Sequence, residues 1–368
     1  MVRFDLDANA TTPLRPEVWD AMRPAMFEGY GNPSSAHSLG RKARQLLDDA
    51  RDRVAALLGA SPDEIAFTSG ATEANNIALF GLARPGSTIL ASQLEHSCII
   101  EPLKQLSTRG CAVEWLPVTA DGIVEPAEFR REASIAILQL VNHETGAIQP
   151  VAVAVSQAKV PFHCDAAQAI GKIRVDVAEL GITTLCLSAH KFGGPKGVGV
   201  LFAKRGAAPK PLMFGGHQQR GLRPGTEAVA LVVGLARAFE LVEAEREARF
   251  RSDVAKRDAF LRIIRSCCPT AILNSPAGAV PNALNMSFPG CRSEVLLMAL
   301  DMAGIACSTG SACSSGSLLP SPVLMAMGVS AERLESAMRF SFPPSMTIED
   351  IEAAAKRIVE VVAGMTRV

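Results

Sequence analysis

The sequence predicts an α/β protein with a mostly parallel sheet in a large domain and a smaller α+β domain. Short apolar runs alternate with helix-patterned segments through the first three quarters of the chain, as strands joined by crossover helices do. Seven such runs are present, enough for one sheet covered on both faces. A single long helical pattern then precedes a second, shorter set of strands and helices. With 368 residues the chain is long enough to bury two cores.

Taken in order, helices are expected at residues 16–27, 38–58 and 72–82. The seven strands are expected at 64–68, 87–91, 113–116, 133–141, 160–164, 183–188 and 197–202. Thr226 opens the long helix, which runs to about Arg265; its cluster EAEREARFRSDVAKRD reads as a solvated connector between domains. A strand near 284–288, a helix at 293–302, a Gly/Ser-rich loop at 308–317 and a strand near 337–342 follow. Thr347-Ile-Glu-Asp350 is a capping-box-like start for the last helix. Ile351, Ile358, Val361, Val362 and Met365 then share one apolar face.

Lys+Arg and Asp+Glu are both 37, so the formal net charge is zero. That balance argues against a bulk basic surface for nucleic acid and against an acidic tail. The opening residues carry charge at Arg3, Asp5 and Asp7 and hold no apolar h-region, and no run of about 18 apolar residues occurs. A cytoplasmic protein with neither nucleic-acid nor membrane partners is expected. Its nine cysteines then read as reduced thiols. Cys98, Cys111, Cys164, Cys186 and Cys291 sit in or beside apolar runs and are expected to be packing residues.

Several motifs could carry chemistry. Phe67-Thr-Ser-Gly-Ala-Thr-Glu73 joins a strand to a helix. Gly70 permits a tight turn, and the N–H groups of Ala71 and Thr72, with nearby hydroxyls and the helix dipole, suit an anion. An ordinary strand-to-helix turn fits the same residues. His163-Cys-Asp165-Ala-Ala-Gln168 places a carboxylate at the end of a buried strand, which is costly without a partner. A protonated heterocyclic nitrogen is one such partner; capping a helix at 166–170 is another use. In Ser188-Ala-His190-Lys191-Phe-Gly-Gly-Pro-Lys196-Gly, a strand-end lysine can reach a cofactor, and neighbouring cations lower its pKa as Schiff-base chemistry needs. A surface loop with two solvated lysines is the alternative.

Cys313 lies in Ser308-Thr-Gly-Ser-Ala-Cys313-Ser-Ser, the setting of an exposed, mobile nucleophile, unless its thiol is incidental. Cys307 follows Gly304-Ile-Ala and is expected to end a strand. The two cysteines lack CxxC spacing and have no histidine nearby, so no metal site is expected. His96, after a strand, suits stacking on a planar ligand and moving protons, or is a satisfied loop residue. Arg339, in an apolar strand, wants an anion: a substrate carboxylate or a local glutamate.

A phosphate cradle, an aspartate for a ring nitrogen, a lysine for an aldehyde and a histidine to stack describe one ligand, pyridoxal 5′-phosphate. The chain resembles the cysteine desulfurases, pyridoxal-phosphate enzymes of fold-type I in the class V aminotransferase superfamily. Asp7-Ala-Asn-Ala-Thr-Thr-Pro13, Gly31-Asn-Pro-Ser-Ser-Ala-His37, Thr68-Ser-Gly-Ala-Thr-Glu-Ala-Asn-Asn76, Glu144-Thr-Gly146, residues 215–226 and Arg339-Phe-Ser341 carry the resemblance, together with the motifs at Asp165, Lys191 and Cys313.

The resemblance implies a role for each. Lys191 carries the cofactor as a Schiff base, Asp165 keeps the pyridine nitrogen protonated, and His96 stacks on the ring and serves as acid and base. Ala71, Thr72, Ser188 and His190 hold the phosphate. Gln168 meets the ring hydroxyl, and Thr226 reaches the phosphate of a neighbouring subunit, which implies a homodimer. Arg339 binds the substrate carboxylate with Asn32 nearby. Cys313 takes sulfur from L-cysteine as a persulfide, releases alanine as the other product, and passes the sulfur to an acceptor or iron–sulfur scaffold protein. The resemblance is to the housekeeping and nitrogen-fixation type. It also implies a large domain at 14–255 and a small one at 1–13 and 256–368 that carries the cysteine loop.

Three places depart from the family pattern. His143 stands where an asparagine usually contacts the cofactor, and is expected to donate to the ring hydroxyl instead. Gln218-Gln219 replaces Gln-Glu, and Phe342-Pro343 replaces Leu-Gly. A selenocysteine lyase or another class V enzyme is the alternative activity. A thiol or iron–sulfur binding module is the non-enzymatic one.

Overall fold

In a computed structural model describing residues 4–309 and 320–365, the early apolar runs join into one seven-stranded sheet. After a short β1 (Phe4–Asp5), its strands are β2 (Ile65–Thr68), β3 (Thr88–Ser92), β4 (Ala112–Leu116), β5 (Ile135–Ile137), β6 (Phe162–Asp165), β7 (Thr184–Ser188) and β8 (Gly199–Ala203). The order is β2-β8-β7-β6-β5-β3-β4, parallel throughout except where β8 pairs antiparallel with β2 and β7. β2, β5, β6, β7 and β8 are buried along their whole length, as strands covered on both faces must be.

Alternate residues serve the two faces. Leu185, Leu187, Val200 and Phe202 join one core with α1 (Pro16–Phe27) and α2 (Ser38–Leu58), through Val18, Leu47 and Val54. Cys186, Leu201, Ile89 and Ile137 face α3 (Ala71–Leu82) and α4 (Ser97–Thr108), through Ile77, Leu103 and Leu106. The short α5 (Val151–Gln157) and α6 (Val177–Leu180) complete the connections.

α7 (Val229–Cys267) is the long connector. Leu235 and Phe239 near its start belong to the first core, whereas Phe260 and Ile264 near its end belong to another. That other core is built on β9 (Ile272–Leu273), β10 (Ala283–Ser287) and β12 (Ala337–Ser341), paired antiparallel with β10 central. α8 (Ser293–Met302), β11 (Ile305–Ala306) and α11 (Ile348–Met365) pack on it, whereas α9 (Pro322–Ala326) and α10 (Ala331–Glu335) turn Val323, Leu324 and Leu334 to the first core. β1 pairs parallel with β11, and Phe4 and Leu6 pack with Phe340 and Ile358, so the start of the chain belongs with its end.

Three expectations need correction. The run at 133–141 is a strand only over β5; its continuation is a buried loop whose Leu138 and Leu140 N–H groups bond the His163 and Asp165 carbonyls. Apolar character there reflects burial rather than an unbroken strand. No helix follows Asp165: its Oδ1 accepts from the Ala167 N–H at 2.9 Å and makes a turn instead. The long helix begins at Val229, which leaves Thr226 in the preceding loop. The Thr347–Asp350 reciprocal cap is present, with both bonds near 3 Å.

Candidate active site

The parallel strands deliver their C-terminal ends to one edge of the sheet, where ligands of such folds gather. β2 leads to Gly70 and α3, β3 to His96, β5 to the loop holding Gln139 and His143, β6 to Asp165, and β7 to Ser188 and Lys191. These residues line one cleft of about 500 Å³, together with Ala71, Thr72, Gln168, His190 and Lys196. Gly199 makes the near wall possible: a Cβ there would come within 2.6 Å of the Gly70 Cα. α3 begins at Ala71 with no side-chain cap on its first turn, so its N-terminal dipole faces the cleft.

At the opposite wall, Asp165 accepts from Asn75 Nδ2 at 2.8 Å. Asn75 Oδ1 in turn meets His163 Nε2 at 2.9 Å, and His163 Nδ1 meets Thr184 Oγ1 at 2.9 Å. Burial pushes the His163 pKa down to about 4 against the attraction of Asp165, so the imidazole is neutral. A neutral, fully bonded backing leaves Asp165 as the charge of this wall.

His96 accepts from the Cys98 N–H through Nδ1, which fixes its ring at the start of α4. Burial lowers its pKa, opposed by Asp165 and helped by Lys191 and Arg339. His143 meets His96 edge-to-face at 5.0 Å, and burial holds its pKa well below the usual value. His190 is lowered to about 4 by burial and then by Lys191 and Lys196. Neutral histidines can accept or pass protons near neutral pH.

Lys191 Nζ rests on the carbonyls of Asn9 and Ala10, at 2.8 and 3.0 Å. Gln168 Nε2 donates to the same Asn9 oxygen at 3.0 Å. Arg339 lies just behind. Its Nη1 donates to the His143 carbonyl at 3.2 Å and its Nη2 bonds Asp7 at 2.7 Å, so its local anion is an aspartate and not a glutamate.

Of the expected site residues, Ala71, Thr72, His96, His143, Asp165, Gln168, Ser188, His190 and Lys191 meet in this cleft. Asn32 and Thr226 do not line it; they meet in a second depression with Met26 and Tyr30. Cys313 lies outside the described residues. Cys307 does follow a strand, β11, and burial, with Asp7 and Asp301, pushes its thiol up to about 12.

Sequence reasoning missed Asn75, although it stands inside the quoted 68–76 motif. It also missed the buried Glu95, whose Oε1 accepts from the Gln139 N–H at 2.9 Å. Cys98 packs against the core beneath α3 and α4 as expected, and it also reaches the site. Its Sγ lies 2.9 Å from His96 Nδ1 and 3.0 Å from Asn75 Nδ2, in the cleft wall, because α4 turns it inward two residues after His96. Cys111, Cys164, Cys186 and Cys291 are buried among apolar neighbours as expected. No metal-binding cluster of His, Cys, Asp or Glu occurs among the described residues.

The class-V aminotransferase pattern matches residues 5–354. The chain belongs to that family. It is 40% identical to a cysteine desulfurase IscS of Dictyoglomus turgidum, over 96% of this chain and 94% of the relative. It is 38% identical to the cysteine desulfurase of Homo sapiens, over 96% of this chain and 80% of the relative. Among solved structures, a NifS-like protein superposes with a TM-score of 0.93 at 34% identity, covering 99% of this chain and all of that one. The fold is that of the family's fold-type I members, and the family's cofactor is pyridoxal 5′-phosphate.

The cleft fits that cofactor on its own terms. The uncapped start of α3 suits a phosphate, Asp165 suits a protonated ring nitrogen, and Lys191 suits an aldehyde. His143 Nδ1 is buried with no hydrogen-bond partner among the described residues, as a group awaiting a ligand atom would be.

Proposed function

We propose that this chain is a pyridoxal-phosphate-dependent cysteine desulfurase, which converts L-cysteine to L-alanine and keeps the sulfur as a persulfide on Cys313. The observation that carries the reading is the convergence of Lys191, Asp165 and His96 on one cleft, in a chain with full-length likeness to cysteine desulfurases. Lys191 would hold the cofactor, Ala71, Thr72, Ser188 and His190 its phosphate, Asp165 its ring nitrogen, and Gln168 and His143 its ring oxygen. When bound, the cofactor supplies an electron sink that weakens the substrate's bonds. His96, neutral and fixed in place, moves protons beside it. Arg339 orients the substrate carboxylate, with Asn32 contributing.

The partners we propose are a second copy of the chain and a sulfur-accepting protein, such as an iron–sulfur scaffold. Met26, Phe27, Tyr30 and Phe214 are exposed apolar side chains, the first three on or just after α1, and Thr226 and Asn32 sit among this surface. A second copy would cover it and bring Thr226 to its neighbour's phosphate. Among the described residues no helix is long and apolar enough to cross a membrane. We place the domain division at 14–255 and at 1–13 with 256–368; the packing of Phe4 and Leu6 with Phe260 and Ile264 supports it, although Val280, Val323 and Leu324 pack in the first core.

The test is the purified holoprotein with L-cysteine. Alanine should form, alkylation should trap the extra sulfur on Cys313, and Cys313→Ser should abolish turnover while still binding cofactor. Cys307→Ser should keep most activity. Trapping the sulfur on Cys307, or wild-type turnover by Cys313→Ser, would overturn the assignment.

A further inference from the structure

One cationic side chain behind the cleft has no part in the function so far. Lys172 follows Asp165 and Gln168 in the chain, and its Nζ donates to Gln168 Oε1 at 2.7 Å and to Asn9 Oδ1 at 2.9 Å. Burial, then the charges of Lys191 and Arg249, pull its pKa down to about 7; Asp253 opposes them and Arg339 adds to them. Those are the charged groups facing it, from the turn after β7, from α7 and from β12.

While it carries its proton, below about pH 7, Lys172 can only donate. Each amide it touches must therefore turn its oxygen toward it and its NH2 group away. Asn9 Nδ2 accordingly bonds the His143 carbonyl at 3.2 Å. Gln168 Nε2 bonds the Asn9 carbonyl, on which Lys191 also rests, and retains a second N–H on a side chain that lines the cleft. Without Lys172 the Asn9 and His143 carbonyls alone would hold these amides, and a turned Gln168 would offer the cleft a carbonyl.

We propose that Lys172 is a positioning residue that sets the polarity of Gln168 and Asn9, so that Gln168 presents an N–H donor to the ring oxygen of bound pyridoxal phosphate. The proposal rests on the reading that Lys191 carries the cofactor and Gln168 meets its ring oxygen. A donor at that oxygen withdraws electron density and lowers the proton affinity of the nitrogen that joins Lys191 to the cofactor. Losing the donor raises that affinity.

The experiment titrates the visible absorption of the cofactor-loaded protein against pH. Lys172→Met should move the midpoint upward by about one unit, a tenfold change in proton affinity, and weaken cofactor binding. Lys172→Arg, which keeps donors, should stay near the wild-type midpoint. Gln168→Ala should shift as Lys172→Met does, and the double variant no further, because the lysine acts through the amide. A packing role alone would lower the unfolding temperature and leave the midpoint in place. Should Lys172→Met not fold, Gln168→Glu carries the same test, since a carboxylate accepts from Lys172 and has no N–H for the cleft. An unmoved midpoint with the cofactor on Lys191, or additive shifts in the double variant, overturns the proposal alone. Borohydride reduction that places the cofactor on another residue overturns the underlying reading and the proposal with it.

Discussion

The cleft has two polar flanks, and they are built on opposite plans. On one, Asp165 is a carboxylate backed by neutral groups, Asn75, His163 and Thr184, in a chain of bonds between 2.8 and 2.9 Å. On the other, the cations Lys191 and Lys172 rest on carbonyl and amide oxygens of Asn9, Ala10 and Gln168. The first flank preserves one negative charge in a buried place by surrounding it with donors. The second sets both lysines on neutral acceptors, and burial, then the charge of Lys191, lowers the proton affinity of Lys172. A cofactor that needs a protonated ring nitrogen at one end and an unprotonated amine at the other asks for this division.

Breaking the first flank should cost most. Asp165→Ala should cut turnover by roughly 10²–10³-fold, the scale of a lost preorganised charge, with cofactor still attached at Lys191. Retained turnover would show that the carboxylate does not control the ring nitrogen. Asn75→Ala should follow, at roughly 10- to 100-fold, because a hydrogen bond to a charged group contributes about 1.5–3 kcal/mol. Steady-state kinetics of the two variants side by side would sharpen the comparison. An Asn75 effect as large as that of Asp165 would mean that the asparagine touches the ligand itself.

The pH dependence of stability gives a smaller effect. Burial raises the Glu95 pKa from 4.5 to about 8, with Asp165 adding to the shift, so the folded protein holds this proton more tightly than the unfolded chain does. The stabilisation is therefore complete below about pH 4.5 and is lost as pH rises through about 8. Glu95→Gln keeps an acceptor for the Gln139 N–H and cannot ionise. Denaturant unfolding should show the variant gaining on the wild type by on the order of a few kcal/mol between acid and mildly alkaline pH; parallel curves would refute a neutral Glu95. Smallest of all, Cys98→Ala should leave turnover within about twofold. Burial and Asp165 hold its thiol well above the usual pKa, so it is no thiolate. Rapid alkylation of Cys98 at neutral pH would contradict that.

The two flanks also differ in how legible they were. Asp165 and His96, and on the second flank Lys191 alone, stand at strand ends within short local motifs, and the strands themselves announce their apolar pattern, so the sheet and its cleft could be placed from sequence. The Asn9–Gln168–Lys172 flank joins a residue near the start of the chain to two more than 150 positions later. No local pattern encodes that meeting; it follows from the first strand pairing with β11 and bringing Asn9 back over the cleft. The polar contacts of Cys98 were hidden for a related reason, because an apolar surrounding sequence does not say which way a helix start turns its side chain. The run at 133–141 misled because a loop buried beneath a cleft is as apolar as a strand.

The central claim is that the amine on the cationic flank is the one that holds the cofactor. Borohydride reduction of the cofactor-loaded protein, followed by proteolysis and mass spectrometry, locates that bond directly. The pyridoxyl group is expected on Lys191, and on no residue in the Lys191→Ala variant. A pyridoxyl group on Lys196 or Lys172 in the wild-type protein would contradict the account.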